Sequence, residues 1–182
     1  MQCEIKALIL LDSDGSKIYS KYYNCPALQT SSARTLFEHH LHSKTMKVNA
    51  NNMESEALLI EEYSVVFKLV NDLVLYVLAD AEENEILMTA LLEAIVEAME
   101  TLYRGELQEK AVVDEIELLM LAWDEAVADG VILSCDAETI VENTMMRTDV
   151  MPHETRAPSS SERGFMKALG AAKDAIRKGL MK

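Results

Sequence analysis

Residues 6–23, KALILLDSDGSKIYSKYY, decide the reading of this chain. An apolar run, Ala7–Leu11, meets an acidic turn and continues into the tyrosine-rich run Lys17–Tyr23. That pattern predicts a β-hairpin with no helix before it. Asp14-Gly15 supplies the turn, because glycine accepts positive φ and aspartate bonds its own backbone. The first strand, about Glu4–Leu11, is apolar on both faces near its end, which predicts a central position. The second is more polar and suits a sheet edge; Cys25-Pro26 ends it.

Working outward, Leu36, Phe37 and Leu41 anchor a helix over about Ser32–Ser43, and the polar, Asn-rich stretch Lys44–Asn52 reads as a loop. Three short β-rich runs follow: Ser55–Ile60, Tyr63–Leu69 and Leu73–Ala79. Turn formers Glu61-Glu62 and Asn71-Asp72 separate them, so they read as a meander. Leu73–Leu78 is almost wholly apolar and is predicted central. The period then changes. Residues 86–103 form a long helix whose polar positions (Glu85, Thr89, Glu93, Glu97, Thr101, Arg104) leave only a narrow wet stripe, so more than one side is covered. Gly105 stops it. A second helix is predicted over Gln108–Asp129, with Val112, Ile116, Leu119, Trp123 and Val127 on one face, Met120 and Leu121 widening it, and Gly130 as the stop. Asp136 caps a short helix to about Met146. The order is ββαβββαα plus C-terminal helices, an α+β layer fold. The predicted organisation is a domain over 1–146, a Pro/Ser-rich linker over 147–161 and a basic amphipathic helix over 162–182.

The chain has 182 residues, enough to bury a sizeable core without disulfides. Its formal net charge of −14 argues against nucleic acid or anionic lipid as the main ligand. Residues 162–182 run the other way, with six Lys/Arg against two Asp/Glu, a local net of +4. Eleven methionines read first as core filler. Cys3, Cys25 and Cys135 match no metal spacing and are expected as reduced cytosolic thiols. A register that sets Asp12 opposite Ser16 would also set Cys3 opposite Cys25. Ala7–Leu11 is too short for a signal peptide, and no stretch approaches a membrane span.

Little in the chain points to catalysis. Asp12-Ser-Asp14-Gly15 has glycine too early for a calcium loop, so it reads as a turn. His39, His40 and His42 diverge around a helix and do not share one ion well. The neighbouring carboxylates of Asp124 and Glu125 diverge likewise. No phosphate loop or nucleophile elbow is present, so neither enzyme activity nor a cofactor or metal is expected. Partner binding fits better. Trp123, the sole tryptophan, reads either as core or as an interface anchor. Met120, Leu91 and Ile95 are candidates on helices with more apolar surface than the chain can readily cover. Phe165, Leu169 and Ile176 form the apolar stripe of the basic tail helix, which suits docking on an acidic protein.

Three stretches carry a family resemblance: KALILLDSDGSKIYSKYY, Val74–Ala79 followed by Glu83-Asn84-Glu85, and Leu121-Ala-Trp-Asp-Glu-Ala-Val-Ala-Asp-Gly-Val-Ile-Leu133. Over about residues 4–146 the chain resembles the small adaptor chains of vesicle coats, those of the COPI coat more than the sigma chains of clathrin adaptors. Residues 147–182 extend past the usual end of sigma chains. The resemblance implies a longin-like fold, a five-stranded antiparallel sheet flanked by helices. It also implies a non-catalytic role, binding the trunk of the gamma coat subunit. The beta and delta coat subunits would share the subcomplex, with an ADP-ribosylation-factor GTPase acting indirectly. The implied place is the cytosolic face of Golgi membranes and vesicles, in transport from Golgi to endoplasmic reticulum and within the Golgi. Two alternatives remain, a clathrin-adaptor sigma chain and a longin-domain regulator of small GTPases. The chain departs from the family pattern at Asp129-Gly130, where a glycine pair is common, and at Trp123, where an aliphatic residue is.

Overall fold

The computed structural model describes residues 3–47 and 54–150. Strands β1 (Ile5–Asp12), β2 (Lys17–Tyr22), β3 (Glu56–Ile60), β4 (Tyr63–Val70) and β5 (Leu73–Asp80) form one sheet in the order β2-β1-β5-β4-β3. All four pairings are antiparallel. As the hydropathy predicts, β1 and β5 lie inside the sheet and β2 at its edge. The first turn is built on Asp12, whose Oδ1 accepts from the N–H groups of Asp14 (2.9 Å) and Ser16 (2.7 Å). Gly15 takes φ +84° there. That carboxylate is committed to the turn, as the hairpin reading requires. The three histidines part company too: His40 Nδ1 meets Glu61 Oε1 at 3.2 Å and His42 Nε2 meets the Ser13 carbonyl at 3.2 Å.

Helix α1 (Ser31–Thr45) lies on one face, with Phe37 and Leu41 in a cluster with Ile9, Leu11, Val74 and Tyr76. Helices α2 (Glu85–Leu102), α3 (Glu109–Asp114) and α4 (Ile116–Ala126) contribute to the other cluster, with Leu8, Leu10 and Val77. Asn84 caps α2 by accepting from Ile86 and Leu87 N–H. Arg104 and Gly105, both at positive φ, close it, and Gly105 N–H returns to the Glu100 carbonyl at 2.8 Å.

The predicted helix Gln108–Asp129 is not continuous. It breaks at Glu115 (φ −127°, ψ 43°), whose carbonyl accepts the Tyr103 hydroxyl at 2.9 Å. The break coincides with that hydrogen bond, and no proline or glycine announces it. The helix also ends early, at Ala126, whose carbonyl takes Leu133 N–H at 2.8 Å. Val127–Ala128 (β6) and Val131–Ile132 (β7) then form a small hairpin across Asp129-Gly130. Both turn residues have positive φ (50° and 81°), the geometry an Asp-Gly hairpin turn demands. Ile5 N–H donates to the Gly130 carbonyl at 2.8 Å, and Glu4 bridges Val131, so this hairpin sits against the start of β1.

The expected Cys3–Cys25 proximity fails for a reason of register. Asp12 does face Ser16 (N···O 2.9 Å), but a bulge between Leu10 and Leu11 shifts the remaining pairs by one residue. A one-residue slip exchanges faces. Cys3 joins the cluster with α2 and α4, and Cys25 the cluster with α1, where its Sγ lies 3.3 Å from the Tyr63 hydroxyl. Burial, with the Glu83 carboxylate beside it, pushes the Cys3 thiol up to about 11.

Thr139 N–H donates to Asp136 Oδ2 at 2.9 Å, and the following helix α5 runs Ala137–Val150, four residues beyond the predicted end. The rest of the predicted linker and the 162–182 helix lie outside the described residues, as does most of the predicted loop Lys44–Asn52.

Candidate partner-binding surface

Four of the seven residues proposed as partner contacts fall within the described part of the chain. Leu91, Ile95 and Trp123 are buried in the α2–α4 cluster, at 0, 1 and 0 % exposure. This corrects their reading as contacts. The inner faces of α2 and α4 cover one another and the sheet, while Ile86 at the start of α2 stays 82 % exposed. Trp123 stacks obliquely on Tyr19 of β2, ring centroids 5.2 Å apart, and its indole N–H has no acceptor among the described residues. Met120, on the outer side of α4, is 41 % exposed and is the one candidate the structure places at the surface. Phe165, Leu169 and Ile176 lie outside the described residues.

A better-formed surface lies where β2 ends. A cleft of about 670 Å³ opens there, with Lys21 and Tyr23 on one wall and Val127, Asp129, Leu133 and Arg147 on the other. Each wall has a local cause. Tyr23 N–H pairs with the Lys6 carbonyl (2.9 Å), which carries the β1 ladder past the end of β2. The Tyr23 hydroxyl reaches the Val127 carbonyl at 3.3 Å and ties the edge to the small hairpin. Lys21 is salt-bridged to Asp124 of α4, and Arg147 of α5 to Glu125. Asp129 has no ion-pair partner among the described residues; the Tyr23 phenol is raised by burial first, and then by the Asp124 and Asp129 charges. Leu133 is 57 % exposed on the cleft wall, and Met146, beside Arg147 on α5, is exposed as well.

The other side of β2 is held by a buried carboxylate. Glu38 of α1 accepts the Tyr22 hydroxyl (2.9 Å) and pairs with Lys17 Nζ (3.1 Å), while Arg34 stacks 4.4 Å over the Tyr22 ring. Tyr22 is held protonated by burial and by Glu38. Glu38, Tyr22 and Lys17 are thus paired with one another as structural partners. Among the described residues no group of three or more His, Cys, Asp and Glu could hold a metal ion, and no helix is long and apolar enough to cross a membrane.

The hairpin that forms half of the cleft was missed by periodicity, because Val127 continues the apolar spacing of α4. The signal was present in Asp129-Gly130, a two-residue hairpin turn flanked by Val127-Ala128 and Val131-Ile132.

Comparison with known proteins gives one answer. The family described as Clathrin adaptor complex small chain matches residues 4–150. Coatomer subunit zeta-1 of Arabidopsis thaliana is 32 % identical over 179 residues, covering 98 % of this chain and 97 % of the relative. Coatomer subunit zeta-1 of Homo sapiens is 30 % identical over 180 residues, covering 98 % and 93 %. A chain in a homology model of the full-length AP-3 complex superposes with a TM-score of 0.64 at 15 % identity, covering 80 % of this chain and 94 % of that one, and shares the fold. The chain belongs to the clathrin adaptor complex small chain family, on the branch of the coatomer zeta subunits, and is a subunit of a vesicle coat.

Proposed function

We propose that this chain is the small subunit that braces the trunk of the gamma coat subunit in the COPI coat, and that it has no catalytic activity. The carrying observation is the similarity to coatomer zeta subunits across 98 % of the chain. The beta and delta coat subunits complete the subcomplex, and an ADP-ribosylation-factor GTPase brings it to the cytosolic face of Golgi membranes through the large chains. Transport from Golgi to endoplasmic reticulum and within the Golgi is the process served.

Residues 162–182 act in this reading as a basic amphipathic helix that docks Phe165, Leu169 and Ile176 on an acidic protein surface. Met120 contributes from α4. Obligate interfaces of this kind often exceed roughly 2,000 Å². Co-expression with the gamma trunk tests the reading against a clathrin-adaptin trunk. The expected result is a stable 1:1 complex with gamma and none with the adaptin. Preference for the adaptin would make the chain a sigma subunit, and nucleotide-dependent binding to a GTPase alone would make it a longin-type regulator.

A further inference from the structure

The outer edge of β2 is open in a way that sheet edges usually are not. Pairing to β1 fixes which backbone groups face outward. Tyr23 N–H bonds the Lys6 carbonyl, so the pairs Lys6/Tyr23, Leu8/Lys21 and Leu10/Tyr19 exchange hydrogen bonds. The alternate pairs, Ala7/Tyr22 and Ile9/Ser20, do not. On β1 the free groups of Ala7 and Ile9 turn to β5. On β2 those of Ser20 and Tyr22 turn outward, and no described residue bonds them. Lysines commonly guard such edges. Here both are folded onto the sheet faces, Lys17 to Glu38 on the α1 side and Lys21 to Asp124 on the α4 side. The edge runs into the cleft, which offers exposed Leu133 and an Asp129 with no ion-pair partner among the described residues.

We propose that an extended segment of the large coat chain adds to β2 as a sixth strand, hydrogen-bonding Ser20 and Tyr22. It would set an apolar side chain against Tyr23 and Leu133 and a Lys or Arg against Asp129. This rests on the coat-subunit reading above. Main-chain bonds would supply affinity and the cleft specificity, as in other strand additions. The cleft charges favour a basic segment, since Lys21 and Arg147 are paired with Asp124 and Glu125 while Asp129 has no ion-pair partner among the described residues. A second copy of this chain is disfavoured, because each carries −14.

The test uses the full chain and its complex with the coatomer gamma trunk. Hydrogen exchange should slow at Ser20 and Tyr22 by at least about tenfold on complex formation, the scale of one added hydrogen bond. Ser20→Pro removes only an outward donor, so the fold tolerates it; it should weaken binding by about tenfold. Asp129→Asn keeps the left-handed turn and removes the charge; it should weaken binding about threefold and flatten the salt dependence. Should Ser20→Pro fail to fold, exchange in the parent and the Asp129→Asn affinity decide.

A complex that forms with β2 exchange unchanged and Asp129→Asn binding as the parent overturns the strand and leaves the coat reading standing. No complex with gamma overturns both. Protection at Ser20 and Tyr22 already present in the free chain, and lost on cutting after Val150, would give the edge to residues 151–182 and overturn the proposal. A homodimer dissolved by Ser20→Pro would do the same in favour of a second copy.

Discussion

On one face of the sheet α2 and α4 lay Leu91, Ile95 and Trp123 in the cluster of Leu8, Leu10 and Val77. On the other, α1 lies over Ile9, Val74 and Tyr76 with Glu38 and Thr45 buried among them. Helix α2 buries nine of its 18 residues, all apolar, while α1 buries four of 15 and two of those are polar. The first layer is held by apolar area, which is non-directional and large in sum. The second draws fewer apolar residues from its helix and adds directed bonds: Glu38 to Tyr22 and Lys17, Thr45 Oγ1 to the Tyr76 hydroxyl at 2.9 Å, and Cys25 to Tyr63. Truncation should therefore hurt most on the α2–α4 side, and polar deletion should register on the α1 side.

The largest expected effect is Trp123→Ala. The side chain is fully buried and stacks on Tyr19, so removal leaves a cavity costing about 3–5 kcal/mol in chemical denaturation. Trp123→Phe should cost far less, because the indole N–H it deletes has no acceptor among the described residues and its burial is itself unfavourable. Equal losses for the two variants would mean that the N–H is satisfied and that Trp123 is held by a directed bond as well as by its buried area.

This face also shows how far the sequence could be read. Central β1 and β5 were legible because both alternating sets are apolar, and edge strand β2 because its positions are mostly polar or aromatic. The long helix α2 followed from its period. Trp123 was ambiguous, since a core anchor and an interface anchor occupy the same helical spacing and differ only in what else covers them. The split of α3 from α4 was invisible, because no proline or glycine marks it and the Tyr103 hydroxyl that bonds Glu115 there comes from outside the segment. The bulge at Leu10/Leu11 that separates Cys3 from Cys25 likewise has no glycine to mark it. The β6–β7 hairpin was legible in Asp129-Gly130 but hidden by the apolar spacing through Val127. Most of the candidate cleft was lost with that hairpin, since its walls join elements more than a hundred residues apart.

A smaller loss should follow from Glu38→Ala. The carboxylate is buried, but Lys17 is 38 % exposed at its side chain and can return to water. Only the Tyr22 hydroxyl is then left short of its partner, which sets the cost at about 1–2 kcal/mol. Glu38→Gln should recover part of it by accepting from Tyr22. If Glu38→Ala matched Trp123→Ala in a denaturation series, the α1 layer would be held as strongly as the other and the contrast would fail.

The smallest effect, and the one with a pH signature, belongs to Tyr76→Phe. It deletes the hydroxyl bonded to Thr45 and should cost about 1 kcal/mol at neutral pH. Burial pushes the Tyr76 phenol up to about 12, the Thr45 hydrogen bond pulling weakly against it. An unfolded tyrosine ionises near about 10. Above that pH the unfolded chain has released a proton that the folded chain retains, so stability falls as pH rises. The contribution is complete below about pH 10 and is lost between there and about 12, at up to about 1.4 kcal/mol per pH unit. Phenylalanine cannot ionise in either state and lacks this loss. The two proteins should therefore differ by the full amount at pH 7 and converge, or cross, near about pH 11. A difference constant with pH would mean that Tyr76 ionises as freely in the folded protein as in water, which its burial under α1 forbids.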